Sequence, residues 1–184
     1  HIGMGLVSEV FNNRNLLSLS GHLGIGHVRY STTGSSNIKN AQPFLVKHAD
    51  GYIAIAHNGN LVNTKSLRDK LESEGSIFQS TMDSEIIVHL IAKSKKGSIG
   101  DRIIDSLSQV KGAYSLLILT GDQLIGARDP NGFRPLCLGE LGKSYVLASE
   151  TCALDLIQAR YLREIEPGEI VFINKDGLNS LTPF

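Results

Sequence analysis

A chain of 184 residues is long enough to bury one substantial core, and no repeat or low-complexity linker divides it, so a single domain over 1–184 is expected. Eighteen Lys and Arg balance eighteen Asp and Glu, which excludes electrostatic recruitment of nucleic acid or an anionic membrane and favours a small polar substrate or a protein partner. The longest apolar runs fall far short of a bilayer span, and Cys137 and Cys152, with no CxxC spacing, make neither a disulfide framework nor a zinc site; a reducing cytoplasm fits.

The chain opens at His1 on "HIGMGLVSEVF", without Met, polar lead-in or capping signal, and reads as a piece of a longer polypeptide. "LGIGHVRY", residues 23–30, alternates as a strand does, and "TTGSSN" after it is a loop by composition. His22 and His27 have no HExxH pattern or carboxylate beside them and read as structural, while "GHLGIGH" lacks the GKS or GKT ending of a phosphate loop. A second strand, "YIAIAH", runs into His57-Asn58-Gly59-Asn60. Asn-Gly between apolar runs signals a tight hairpin turn. The same pair offers a side-chain amide and an unhindered backbone N–H, the donors that stabilise a developing oxyanion.

"NTKSLRDKLESEG" predicts a short amphipathic helix capped by Asn63 or Thr64 and ended by Gly75. In "MDSEIIVHLIAKSKKG", Ile86, Ile87, Leu90 and Ile91 form one stripe behind an Asp83 or Ser84 cap, and "GDRIIDSLSQVKG" repeats the design with Gly112 as its stop. The runs "AYSLLILT", "QLIGARD", "PLCLGEL", "SYVLASE" and "GEIVFIN", punctuated by Gly, Asp, Asn and Pro, predict consecutive strands, with one helix, "TCALDLIQAR", among them. The class is α+β, with largely antiparallel sheets and helices on their faces.

Polar residues at element ends carry the candidate chemistry. Arg29 is either a surface arginine before a Ser/Thr-rich turn or a bidentate fork for a carboxylate. Asp83 is either a helix cap or an acceptor for an ammonium group. Cys137 in an apolar strand is a poor nucleophile, and Cys152 is expected to be buried as a small hydrophobe. Taken together, Arg29, Asn58 with Gly59, and Asp83 offer a cation for an α-carboxylate, an oxyanion pocket, and an anion for an α-amino group. That set suits a free amino acid whose side-chain carbonyl is attacked, and glutamine fits it.

On these residues the chain resembles the N-terminal nucleophile (Ntn) glutamine amidotransferases, and among them the glutaminase domain of the phosphoribosylpyrophosphate amidotransferases. The resemblance runs in order through "GMGLVSEVF", "GIGHVRYSTTGSS", "QPF", "AHNGNLVN", "DSEIIVHLI", "KGAYSLLIL", "ARDPNGFRPLCLG", "ASETCALD" and "YLREIEPGEIVFI". The glucosamine-phosphate synthase branch would have a Trp after the arginine and a His after the threonine; this chain has Tyr30 and Thr33 and no Trp. Asparagine synthetases share an RDP-like stretch but not "SETCALD" or "REIEPGE".

The resemblance implies a four-layer αββα sandwich of two antiparallel sheets, truncated at its N-terminus. It implies Arg29 and Thr32 as contacts of the glutamine carboxylate, Asp83 and Ser84 as contacts of its amino group, and Asn58 with Gly59 as the oxyanion hole. The nucleophile it implies is an N-terminal Cys upstream of His1, so that the fragment alone would be inactive. It further implies a phosphoribosyltransferase domain after residue 184 that uses the released ammonia, with Mg2+ and, in some members, an iron–sulfur cluster there and no cofactor in this domain. The intact enzyme would be a cytoplasmic homo-oligomer opening purine biosynthesis, in contact with neither nucleic acid nor membrane. The alternatives are a non-catalytic glutamine-binding or subunit-contact module, and the glutaminase domain of another amidotransferase.

Overall fold

The computed structural model describes residues 1–29, 37–49 and 51–184. Two short helices, α1 (Val7–Val10) and α2 (Asn13–Leu17), and a 3-10 turn at Ile38–Asn40 precede β1 (Phe44–His48) and β2 (Gly51–Leu61). Next come α3 (Thr64–Ser73), α4 (Ser84–Lys93), α5 (Ile99–Leu107), β3 (Gly112–Leu119) and β4 (Leu124–Arg128). The chain ends with β5 (Cys137–Leu141), β6 (Ser144–Ala148), α6 (Thr151–Leu156), β7 (Arg160–Glu164), β8 (Ile170–Asn174) and β9 (Gly177–Leu181).

Two antiparallel sheets form, one of six strands in the order β1-β2-β3-β4-β8-β9 and one of three in the order β6-β5-β7. Because side chains alternate across a strand, β3, β4 and β8 of the larger sheet each feed two cores. Leu116, Ile118, Ile125 and Ile170 pack beneath Ile86, Ile87, Ile91, Ile103 and Leu107 of α4 and α5, while Leu124, Val171 and Ile173 meet Leu138 and Leu147 of the smaller sheet. On the outer face of the smaller sheet, Leu154 of α6 covers Cys137 and Ala159. The layers are therefore helices, sheet, sheet, helix. Gly126 sets the distance between the sheets: a Cβ there would lie 2.6 Å from Leu147 Cδ1 and 3.0 Å from Val171 Cγ2.

Several local expectations are corrected. Residues 23–29 belong to no sheet, although Leu23 and Ile25 do turn inward onto the inter-sheet core while Gly24, Gly26 and Val28 face out. The alternation records burial on one side; no described strand pairs with the backbone. "TTGSSN" lies outside the described residues save for Asn37. Gly112 opens β3 at φ +132 instead of stopping α5, whose last helical residue is Leu107. Cys152 is exposed on α6, because Leu154 takes the inward position of that short helix. No hairpin turn occurs at residues 57–60. β2 runs through them, with His57, Asn58, Gly59 and Asn60 opposite Leu116, Ser115, Tyr114 and Ala113 of β3.

Candidate active site

β2 outlasts β1. The β1 ladder ends at the pair Phe44 and Ile55, while the β3 ladder continues to Leu61. In an antiparallel pairing the backbone groups of alternate residues point to opposite neighbours, so His57, Gly59 and Leu61 direct their N–H groups to the edge that β1 has left. Side chains occupy two of these three positions. Gln42 Oε1 accepts from His57 N at 2.6 Å, and Asp83 Oδ2 accepts from Leu61 N at 3.1 Å. The Gly59 N–H lies between them on the same edge.

Glycine is required here. Gly59 adopts φ +154, and a Cβ would collide with the carbonyl of Ala113 on β3 and lie 2.9 Å from His57 Nε2. Its bare Cα lets β2 and β3 stay in register.

Asp83 stands at the N-cap of α4, but its side chain makes no cap hydrogen bond to that helix. It turns toward β2 instead, where His57 Nδ1 donates to Oδ1 at 3.0 Å. Burial raises the Asp83 pKa, but the hydrogen bonds from His57 and from backbone N–H groups outweigh it and hold the carboxylate below its ordinary range. The segment before Asp83 is locked by Glu85, a buried carboxylate that accepts from Gln79 N at 2.7 Å and Ser80 N at 2.8 Å. Asn40 adds bonds to Thr81. Ser84, the first residue of α4, is fully buried, and its hydroxyl has no hydrogen-bond partner among the described residues.

The imidazole of His57 is buried on the same face. Nδ1 faces Asp83, and Nε2 at the other side of the ring lacks a partner among the described residues. His27 Nε2 donates to the His57 carbonyl at 3.1 Å. Burial lowers the His27 pKa, the bond to His57 partly restores it, and the charges of His57 and Arg29 lower it further. Arg29, half-buried, is thus close enough for its charge to reach His27, whose ring bonds the His57 carbonyl.

Asn58 has its own support. Its Oδ1 accepts from Arg134 Nη2 at 2.8 Å. Arg134 comes from the β4–β5 loop, "RDPNGFR", which is organised around the fully buried Asp129. The structure thus brings Asn58, Gly59 and Asp83 to one short span of β2, with Arg29 near it through His27. Thr32 lies outside the described residues. Sequence reasoning gave no role to His57, Gln42, Asp129 or Arg134. The signal for the last two was present, since a charged stretch ending a strand in "ARDPNGFRP" is more than a turn needs.

Comparison with known proteins places this geometry. A family model described as a glutamine amidotransferase domain matches residues 27–156. The chain belongs to that family. This glutamine amidotransferase domain is 54% identical over 179 residues to amidophosphoribosyltransferase 1, chloroplastic, of Arabidopsis thaliana, covering 97% of this chain and 32% of the relative. It is 50% identical over 181 residues to the amidophosphoribosyltransferase of Bacillus subtilis, covering 98% and 38%. Among solved structures, the glutamine phosphoribosylpyrophosphate amidotransferase of B. subtilis complexed with ADP and GMP superposes with a TM-score of 0.93 at 49% identity, over 98% of this chain and 39% of that one. The amidotransferase domain therefore spans about a third of the length of these relatives, and the αββα layering is theirs as well.

Among the described residues no group of three or more His, Cys, Asp or Glu could hold a metal ion, and no helix is long and apolar enough to cross a membrane.

Proposed function

We propose that this domain is the glutaminase half of an amidophosphoribosyltransferase, releasing ammonia from glutamine for phosphoribosylamine synthesis from phosphoribosylpyrophosphate, the opening step of purine biosynthesis. The observation that carries the reading is the open edge of β2, where the Gly59 N–H stands between two occupied N–H groups with the Asn58 amide beside it. Together they form a pair of preorganised donors for the oxyanion of a tetrahedral intermediate. Asp83 uses one acceptor site on each oxygen for His57 and Leu61, and a carboxylate has roughly four such sites, which leaves capacity for the glutamine ammonium. Ser84 adds its buried hydroxyl at that end, and Arg29, with Thr32, takes the α-carboxylate.

Neither cysteine of the domain suits the attack. Cys137 is buried with its pKa pushed up by that burial, and Cys152 sits on the outer helical layer. The nucleophile in this reading is the N-terminal cysteine that the resemblance places ahead of His1. Its thiolate would add to the side-chain amide carbon, and collapse of the oxyanion would expel ammonia and leave a thioester for water to cleave. Magnesium, phosphoribosylpyrophosphate and any iron–sulfur cluster belong to the phosphoribosyltransferase portion, and no step in this domain runs through them. A cytoplasmic homo-oligomer completes the reading, the two free thiols suiting a reducing compartment.

Asn58→Ala in the full-length protein tests it. Glutamine-dependent turnover should fall roughly 10²–10³-fold, as for loss of one oxyanion donor, with ammonia-dependent synthesis retained. Equal loss of both activities, or of neither, would remove Asn58 from the role.

A further inference from the structure

Asn58 can serve as an oxyanion donor in one of its two amide orientations only. The NH2 must face the reacting carbonyl, so the oxygen must face elsewhere. A terminal amide is nearly symmetric in shape, and sterics alone do not choose between the two orientations. Arg134 Nη2 lies 2.8 Å from Asn58 Oδ1. A guanidinium has donors and no acceptor, so the atom facing it has to be the oxygen.

We propose that Arg134 is the positioning residue of the oxyanion hole: it fixes the Asn58 amide with its NH2 toward the open edge of β2. This rests on the glutaminase reading above. A charged donor makes the bond to Oδ1 stronger than a neutral one, and it polarises the amide so that the opposite N–H becomes a better donor.

Arg134 is itself fixed. Asp129 Oδ2 accepts from Arg134 N at 3.1 Å, and Arg128 Nε donates to Arg134 O at 2.9 Å, so both ends of its backbone are tied. Arg128 also donates to Ile165 O at 2.6 Å and Gly132 O at 3.0 Å and pairs with Glu164 at 3.0 Å, which anchors the loop to the smaller sheet. The Arg134 Nε is buried and has no hydrogen-bond partner among the described residues, whereas Nη2 reaches Asn58. A half-buried arginine whose buried Nε has no partner among the described residues, and whose Nη2 is directed at a neutral amide, gives up hydration for that contact, which is costly for folding alone. It is explained by control of that amide.

The loop backbone is pinned by Asp129 and Arg128, so replacing the Arg134 side chain should leave the loop in place. The experiment is a cycle in the full-length protein: Arg134→Met, Arg134→Lys, Asn58→Ala and Asn58→Ala with Arg134→Met. Arg134→Met should lower kcat for glutamine hydrolysis about 10- to 100-fold with KM for glutamine changed less than about threefold, the size of a lost charge-assisted hydrogen bond felt in the transition state. Arg134→Lys, again a pure donor, should recover part of that loss. In the Asn58→Ala background Arg134→Met should cost little more, because it acts through Asn58. An undiminished further loss in that background, a rise in KM alone, or no loss at all would overturn the proposal. If Asn58→Ala itself leaves glutamine hydrolysis intact, the glutaminase assignment of the site fails, an outcome distinct from failure of the Arg134 role.

Discussion

Asp83 is joined to His57 by a 3.0 Å hydrogen bond that ties the first turn of α4 to β2, and its second oxygen holds Leu61 N at 3.1 Å. The carboxylate thus has a structural duty beside the proposed ammonium contact, and the two can be separated. Asp83→Ala strands both donors and should cost about 1–3 kcal/mol, read from the denaturant midpoint. Asp83→Asn keeps an acceptor for Leu61, and His57 can change tautomer to meet the new NH2, so the stability loss should be smaller. Both variants lose the charge, so both should raise KM for glutamine by similar factors. A KM that followed stability instead would deny Asp83 the ammonium role.

Gly59→Ala tests the close approach of β2 to β3. The added methyl meets the Ala113 carbonyl, a backbone atom that can move only by opening the ladder. We expect a loss of about 1–3 kcal/mol or more in stability, and glutamine hydrolysis reduced beyond that of Asn58→Ala, because the displaced strand carries both donors. Thermal unfolding and steady-state kinetics give the two numbers.

The legibility of this chain was uneven for physical reasons. Burial periodicity marked the strands that feed two cores, such as β3 and β4, and the apolar stripe of α4, because those patterns follow from one-sided packing. Edge strands were harder. β1, β7 and β9 lack a strong apolar alternation, and their partners, β2, β5 and β8, are decided by tertiary pairing. The error at "HNGN" has the same source. Asn-Gly is a turn signal for a chain free to reverse, but β3 pairs across all four residues and the positive φ of Gly59 is used for a close strand approach. The helix-cap reading of Asp83 predicted its position and missed its direction, since two donors on β2 outcompete the helix's own N–H groups. Asn58, Gly59 and Asp83 were visible as residue types with known chemistry. The charged stretch around Arg134 was visible too, but its target was not, because it acts on a residue 76 positions away in sequence.

Acid should loosen the fold in two steps. Burial lowers the pKa of His89, and of His27, below the ordinary 6.5, so the unfolded chain takes up those protons first. Their contribution is complete above pH 6.5 and is lost as pH falls through the lower native values. Asp83 and Glu169 are also depressed: burial opposes this, but His57 in the first case and Arg163 in the second prevail. Their contribution is complete above the ordinary carboxylate values of 3.8 and 4.5 and is lost below them. Urea midpoints measured from pH 7 to pH 5 should decline, and His89→Gln should flatten that decline without altering the steeper one below pH 4.5. An unchanged slope would exclude His89 as a contributor.

The two thiols should differ in reactivity. Cys152 is exposed, whereas Cys137 is 4% exposed, donates to the Ala148 carbonyl at 3.1 Å and has its pKa raised by burial. A thiol reagent should label Cys152 of this domain under native conditions and Cys137 only on unfolding. Peptide mapping distinguishes them, and rapid native labelling of Cys137 would contradict the packing of α6 on β5.

Asp129 should be the most sensitive polar position outside the open edge of β2. It is fully buried and accepts from Asn131 N at 3.0 Å, Phe133 N at 3.1 Å, Arg134 N at 3.1 Å and Tyr114 N at 3.3 Å. Its own N–H donates to the Tyr114 carbonyl at 2.9 Å. Asp129→Ala strands those donors around a fully buried position, and a loss of more than about 3 kcal/mol follows from several unmet groups at roughly 1–3 kcal/mol each. Asp129→Asn keeps one acceptor oxygen and should fall between. Because Asp129 holds the backbone of Arg134, even a variant that still folds should lose glutamine turnover through Asn58. Adding Asn58→Ala to Asp129→Asn should therefore reduce kcat by less than Asn58→Ala does alone, and an undiminished effect would separate the loop from the oxyanion hole.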